Sequence, residues 1–309
     1  MPEQKRQKEN LKEEEVKLEK PLLKPKIDIV FQSLFSKENK EITKNFVQSL
    51  LGKKINKIEI NNDKELFREK PDDKLGMLDL QLDIDNEEKI DVEIQLIDKH
   101  NIEQRLLYYW SKLYSSTIKI GDDYANSKRV VLIAILDYDL DLTKFSKEMQ
   151  TQWMLRETKN PEKLLTDKLE IDIIELRKVK HEYEKNKDNK KAQWMMFLDD
   201  PNLKEVKEIM KKNKEIEDAV VVVHKMTEDE KMQRLADLRE KAIMDEKAIR
   251  RAGVEEGREE GRKEGRKEGI KEGIKEGKLL IAKKMKEEKI DIETICRITE
   301  LSKTEIEKL

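Results

Sequence analysis

Asp79, Glu93 and Gln95 are the residues of this chain whose types and spacing point to chemistry. Asp79 lies in LDLQLDI (78–84), and Glu93-Ile94-Gln95 in KIDVEIQLI (89–97). Both stretches alternate apolar and polar residues, the pattern of a half-buried strand. The apolar sets must share one face of the hairpin, because a slip of one residue turns every side chain over. A three-residue loop, Asp85 to Glu87, pairs Ile84 with Glu88, so that opposed positions sum to 172. Asp79 then stands opposite Glu93, and Asp83 opposite Lys89. Opposed Cβ atoms lie roughly 4.5–5.5 Å apart, so two carboxylates there repel unless a cation compensates them. Mg2+ suits such a place, because it takes one or two carboxylates, keeps several waters and leaves room for phosphate oxygens. A metal held in this way can activate a water and neutralise charge on a phosphodiester. Gln95 points to the same face and can orient that water, although an amide is no base at neutral pH. The competing reading is a solvated acidic face on an edge hairpin, and the alternation alone leaves it open.

The elements that would position these residues are legible as patterns. DIVFQSLF and KEITKNFVQSLLG carry apolar residues at helical spacing, with Gly52 where a C-cap glycine belongs. INKIEI (55–60) reads as a short strand. HNIEQRLLYYWSKLYSSTIKIG (100–121) reads as a helix with Gly121 at its end, and KRVVLIAIL (128–136) as a strand buried on both faces. The order is helix, strand, strand, strand, helix, strand. The step from 89–97 through the helix to 128–136 has the length of a crossover between parallel neighbours. The expectation is an α/β protein with a mixed sheet and helices packed on it. From about 141 to 252 the reading is mostly helical, with LEIDIIEL (169–176) as a further strand and QWMMFLDDP as a helix ending before Pro201.

Composition narrows the function classes. Of 309 residues, 36% are apolar and 43% charged, which is too charged for one compact globule, so part of the chain is solvated helix or linker. The net charge of −2 gives no global basic footprint for nucleic acid. The single cysteine, Cys296, excludes an internal disulfide framework, and no clustered Cys/His pattern supports structural zinc. The first twenty residues lack the apolar segment of a signal peptide, and VVLIAIL and AVVVV are too short to span a bilayer. A cytoplasmic protein without a membrane partner is expected.

Taken together, KPKIDIVFQSLF, GMLDLQLDI, VEIQ, QRLLYYWSKLYSSTIKIGDDY, VVLIAIL, LEIDIIEL and QWMMFL resemble the PD-(D/E)xK nuclease superfamily over roughly residues 24 to 200. Within it the chain is similar to the recombination-promoting (Rpn-like) nucleases and putative transposases, which share the glycine-rich tail and an ending like ITELSKTEIEKL. The proline of the superfamily name is Leu78 here and its lysine is Gln95; glutamine is usual there in this branch. The resemblance implies a restriction-endonuclease-like mixed sheet with an αβββαβ core and a mostly helical C-terminal extension. It implies Asp79 and Glu93 as Mg2+ ligands, Gln95 as the third active-site residue, and DNA as the partner. Asp28 matches the family's D-x-x-F and is expected near the site, or else as a helix N-cap. Arg105 and Tyr109 stand four apart on the following helix, so one face can reach a phosphate; a solvated arginine and a packed tyrosine are the plainer reading.

The rest of the chain divides by composition. Residues 1–23 read as a disordered charged arm, 24–200 as the nuclease-like domain, 201–252 as a helical segment, 253–278 as a glycine repeat and 279–309 as a small helical tail. Glycine recurs every fourth residue from Gly253 to Gly277. Each costs a helix about 0.8–1.0 kcal/mol relative to alanine. Glu–Lys pairs at i,i+3, such as Glu260–Lys263, return about 0.2–0.5 kcal/mol each. Close helix–helix approach in a homo-oligomer and a semi-flexible charged linker both remain open readings. His100 is read as a surface residue, the three tryptophans as packing, and Cys296 as buried. Function is read as a metal-dependent DNA endonuclease tied to recombination or transposition. A non-catalytic assembly protein on a nuclease-like scaffold is the alternative.

Overall fold

The computed structural model describes residues 20–61 and 80–309. Two helices come first among the described residues: α1 (Asp28–Leu34) and α2 (Lys40–Leu51). Gly52 ends α2 at φ 65°, a left-handed conformation that glycine adopts without strain. Strands β1 (Ile58–Asn61), β2 (Leu80–Ile84) and β3 (Glu88–Gln95) follow, then helix α3 (Ile102–Ser115) and β4 (Arg129–Leu136). Next come β5 (Gln150–Trp153) and β6 (Leu169–Glu175). Helices α4 (Leu176–Lys185), α5 (Lys190–Asp199), α6 (Lys204–Met210), α7 (Lys214–Glu228) and α8 (Glu230–Glu287) lead to α9 (Ile292–Thr299) and α10 (Lys303–Glu307).

Among the described residues the strands form one mixed sheet in the order β1-β2-β3-β4-β6-β5. β1, β2 and β3 are antiparallel, β3, β4 and β6 are parallel, and β5 returns antiparallel to β6. The β3–α3–β4 crossover is therefore present. One face of the sheet, carrying Ile90, Val92, Val131, Ile133 and Ile174, packs on α1, α2, α5 and α7 around Phe31, Phe35, Phe46 and Trp194. The other, carrying Leu132, Ala134, Leu136, Ile171 and Ile173, packs on α3 through Ile102, Leu106 and Tyr109. RVVLIAIL is apolar at every position but its first because helices cover both of its faces.

Several expectations are corrected. The helix expected over 100–121 ends at Ser115, and Gly121 (φ 92°) sits in the loop beyond it. The hydroxyls of Ser115, Ser116 and Thr117 donate to the carbonyls of Lys112, Leu113 and Tyr114. Such side-chain bonds compete with helix continuation. The stretch from 141 to 168 is not helical. It holds a single 3-10 turn, Asp141–Thr143, and the edge strand β5, whose sequence QTQW has too little apolar content to announce a strand. The last residues of the expected arm are packed: Leu22 and Leu23 are buried, and their N–H groups donate to Asn202 Oδ1 (2.8 Å) and Thr227 Oγ1 (3.1 Å). Residues 1–19 lie outside the described residues. The first unit also runs past residue 200, to Ile243. It does so because α6 and α7 supply Val206, Ile209, Ile216 and Val223 to the first core.

The second unit, 244–309, contains the glycine repeat as continuous helix within the 58-residue α8. A Cβ built on any glycine from 253 to 277 meets nothing within 4 Å. Lys263 Nζ lies 3.7 Å from Glu259, an i,i+4 contact in place of the expected i,i+3 one. The two short helices read around ELSK are α9 and α10; Asp291 caps the first, and Ser302 with Glu305 forms a capping box on the second. Ala282, Ile295, Leu301 and Ile306 form a small core, with Cys296 half-buried against it. Among the described residues no helix is long and apolar enough to cross a membrane.

Candidate active site

The hairpin register is the one the alternation dictates. Leu80 pairs with Val92, Gln81 with Asp91, Asp83 with Lys89 and Ile84 with Glu88, each pair summing to 172. Asp85 and Asn86 take φ 50° and 62° at the turn, positive values that Asp and Asn tolerate best among non-glycine residues. Asp79 lies outside the described residues, which resume at Leu80.

The polar side of β3 faces α3, and exposure rises along it toward the strand's end. Asp91 and Glu93 are buried, and Gln95 is half-buried at the rim. Glu93 is a carboxylate with 1% of its side chain exposed, so it requires positive charge or hydrogen bonds. α3 brings both. Arg105 Nη2 donates to Glu93 Oε1 at 2.5 Å, and Arg105 Nη1 to Gln95 Oε1 at 3.0 Å. Gln95 Nε2 donates to the same Glu93 oxygen at 2.8 Å. One helical turn on, Tyr109 accepts from Arg105 Nη2 at 3.3 Å, and its ring centroid lies 5.4 Å from the guanidinium carbon.

Electrostatics follow from this geometry. Burial alone would lower the pKa of Arg105, but the charge of Glu93 and the Tyr109 hydroxyl outweigh it, and the net shift is upward. Burial, then the charge of Glu93, raises the Tyr109 phenol, so it stays protonated. Tyr138, just past β4, is buried against the second core and is raised further, first by burial and then by Asp98.

Of the residues read from sequence, Glu93, Gln95, Arg105 and Tyr109 form one network. Asp28 does not join it. Its neighbour Ile27 is the N-cap residue of α1, and Asp28 stands in the first turn with Oδ1 accepting from Ile29 N at 2.8 Å and Oδ2 3.3 Å from Arg239. His100 is exposed, with Nδ1 3.0 Å from Asp98. Three residues beside the site were not singled out: Asp91, Tyr138 and Gln81. Gln81 is buried opposite Asp91, and its amide N and O have no hydrogen-bond partner among the described residues. The register itself carried the signal for the first and third, since it places two polar side chains together on an inward face.

The donor set fits a hard cation. Glu93 Oε1 and Gln95 Oε1, both hard oxygen donors, already converge on a positively charged group, the guanidinium. Among the described residues no cluster of three or more His, Cys, Asp or Glu could hold a metal, so further acid ligands would come from outside them, where Asp79 lies.

A second titratable cluster occupies the other face of the sheet. Asp172 on β6 lies opposite Gln152 of β5 and is buried. Burial, then the charge of Glu170, raises its pKa to about 7; Lys191 and the amides of Gln150 and Gln152 act the other way. Lys191, which donates to Gln150, is lowered by burial against the charges of Asp172 and Glu170. Gln150, Gln152 and Lys191 line a cavity of about 1080 Å³ together with Lys53, Lys190 and Trp153.

Comparison with curated proteins and with solved structures finds no match. Residues 25–253 match the family of PD-(D/E)XK nuclease family transposases. That span includes the six described strands, both cores apart from Leu22 and Leu23, and the Glu93–Gln95–Arg105 network. A match over most of the chain, on a fold whose acidic hairpin the sequence already implied, places this protein in the PD-(D/E)XK nuclease transposase family.

Proposed function

We propose that the protein is a Mg2+-dependent DNA endonuclease whose site is built on the β2–β3 hairpin. The observation that carries this reading is a nearly fully buried carboxylate, Glu93, gathered with Gln95, Arg105 and Tyr109 at the end of β3. In an open parallel sheet, ligands bind outside the carboxyl ends of the strands, and β3 and β4 both end here. The described register ends at Leu80 opposite Val92, with every pair summing to 172 as the sequence alternation requires. In this reading Asp79 and Glu93 hold the metal. When bound there, Mg2+ neutralises charge on the scissile phosphate and makes a water more acidic. Gln95 orients the attacking water through its amide, and Tyr109, held neutral, can donate a hydrogen bond but does not act as a base. Arg105 offers the phosphate a planar, permanently charged donor.

The test is nicking of supercoiled plasmid by purified full-length protein with Mg2+, with EDTA, and with Asp79→Ala or Glu93→Gln in parallel. Cleavage that disappears in all three controls is expected; cleavage that survives Asp79→Ala removes that residue from the site. A non-catalytic assembly protein is the second reading, favoured by one observation: Glu93 is paired directly with Arg105. A folded protein inert across substrates and metals would select it. Strand transfer in transposition uses the same site chemistry, and joined rather than merely nicked products would reveal it.

A further inference from the structure

Arg105 and a divalent cation have the same demands on this site. The guanidinium takes a carboxylate oxygen of Glu93 and the amide oxygen of Gln95, the two oxygens that a hard cation would also seek. The two compete for Glu93 Oε1, because that oxygen already accepts from Arg105 Nη2 and Gln95 Nε2 and a second positive centre on it would be repelled by the guanidinium. The two partners differ in freedom. Glu93 is 1% exposed and fixed in the sheet, whereas Arg105 is 25% exposed on a long side chain. Arg105 is therefore the member that moves. Tyr109 stays beside it one turn along, so the guanidinium keeps an aromatic neighbour when it turns outward.

We propose that Arg105 is a displaceable counter-cation: it holds Glu93 and Gln95 closed until a divalent metal replaces it, and metal binding is weakened by the strength of that contact. The inference rests on the metal-dependent reading above. A buried carboxylate left bare is costly, and the arginine keeps the empty site folded. The same contact makes metal entry conditional. An anion that draws the guanidinium outward, such as a DNA phosphate, favours occupancy by the metal, because two ligands that both prefer the state with Arg105 turned out assist each other through it.

The experiment is calorimetric titration of Mg2+ into full-length wild type, Arg105→Gln, Arg105→Lys and Glu93→Gln proteins, each checked for fold by circular dichroism. Removing a charge-assisted contact of this kind should tighten Mg2+ binding by about tenfold to a hundredfold in Arg105→Gln. Arg105→Lys keeps the charge but cannot span both oxygens, so it should fall between wild type and Arg105→Gln. It also serves if the glutamine variant does not fold. Affinity equal to or weaker than wild type in the arginine variants, with binding lost in Glu93→Gln, overturns the competition and leaves the metal reading intact. Absence of Mg2+ binding in every protein, wild type included, overturns the metal reading and the competition with it.

Discussion

Asp172 offers a prediction whose size follows from its surroundings. It lies in the middle of β6, 2% exposed, with Glu170 on the same face. Its carboxyl is raised from 3.8 to about 7, by burial first and the charge of Glu170 second. Between those two values the folded state holds a proton that the unfolded state has released. Stability therefore falls as pH rises through this window. The contribution is fully present below about pH 3.8 and is lost by the time pH has passed about 7. Each tenfold change in proton affinity is worth about 1.4 kcal/mol, so the full swing is roughly 4 kcal/mol. Asp172→Asn removes the titration and keeps the shape. The measurement is the urea midpoint of each protein at a series of pH values from acid to slightly alkaline, converted to free energy with a common slope. The paired surface carboxylates titrate alike in both proteins and cancel in the difference. The variant should gain stability relative to wild type steadily across the window. The gain is tempered because Lys191 loses the charge of Asp172, which raises its pKa. Parallel curves for the two proteins would refute the reasoning, since they would mean that the carboxylate is already charged at acid pH.

Other outcomes follow from the same structure. Gln81→Leu should stabilise the fold by about 1–3 kcal/mol in denaturant melts, because the amide it removes is buried without a hydrogen-bond partner among the described residues; a loss of stability would show that something bonds it beside Asp91. Alanine at Gly257, Gly261, Gly265 and Gly269 should each add about 0.8–1.0 kcal/mol of helix stability, read by the thermal loss of helical ellipticity, because no atom stands where the methyl would go. If the glycine ridge is where copies of the chain approach, the same variants will sediment as smaller species, and that measurement decides between assembly and linker.

The parts that the sequence made legible are those governed by short-range rules. The hairpin register could be written down because period-two alternation and a three-residue loop leave one solution that keeps Ile90, Val92, Leu80 and Leu82 on one face. The capping box at Ser302 and the αL glycine at 52 are equally local. The parts that were not legible depend on partners distant in sequence. QTQW forms a strand because β6 offers it an edge, since two strand-favouring residues among four are too short a pattern to announce one. The contact of Arg105 with Glu93 was not legible, because the two lie on different elements and no pattern announces the pair. Asp28 looked like a site residue by its motif and a cap by its position, yet the residue before it takes the cap and a distant helix supplies Arg239.

The site and the core are one construction, and this decides what kind of substitution it tolerates. α3 is fixed on the sheet by Ile102, Leu106, Tyr109 and Leu113, spaced 4, 3 and 4 residues apart, so its apolar stripe sets the helix's rotation. Arg105 sits beside that stripe, and any rotation of α3 moves the guanidinium away from Glu93. Glu93 in turn alternates with Val92 and Ile94, whose burial in the opposite core fixes the strand's height and face. A carboxylate can be kept in so dry a place only where a positive charge is delivered accurately, because an uncompensated buried charge costs more than the core can spare. The hydrophobic patterning of α3 and β3 thus does two things with one set of residues. It packs two layers, and it aims an arginine at a buried carboxylate, Glu93.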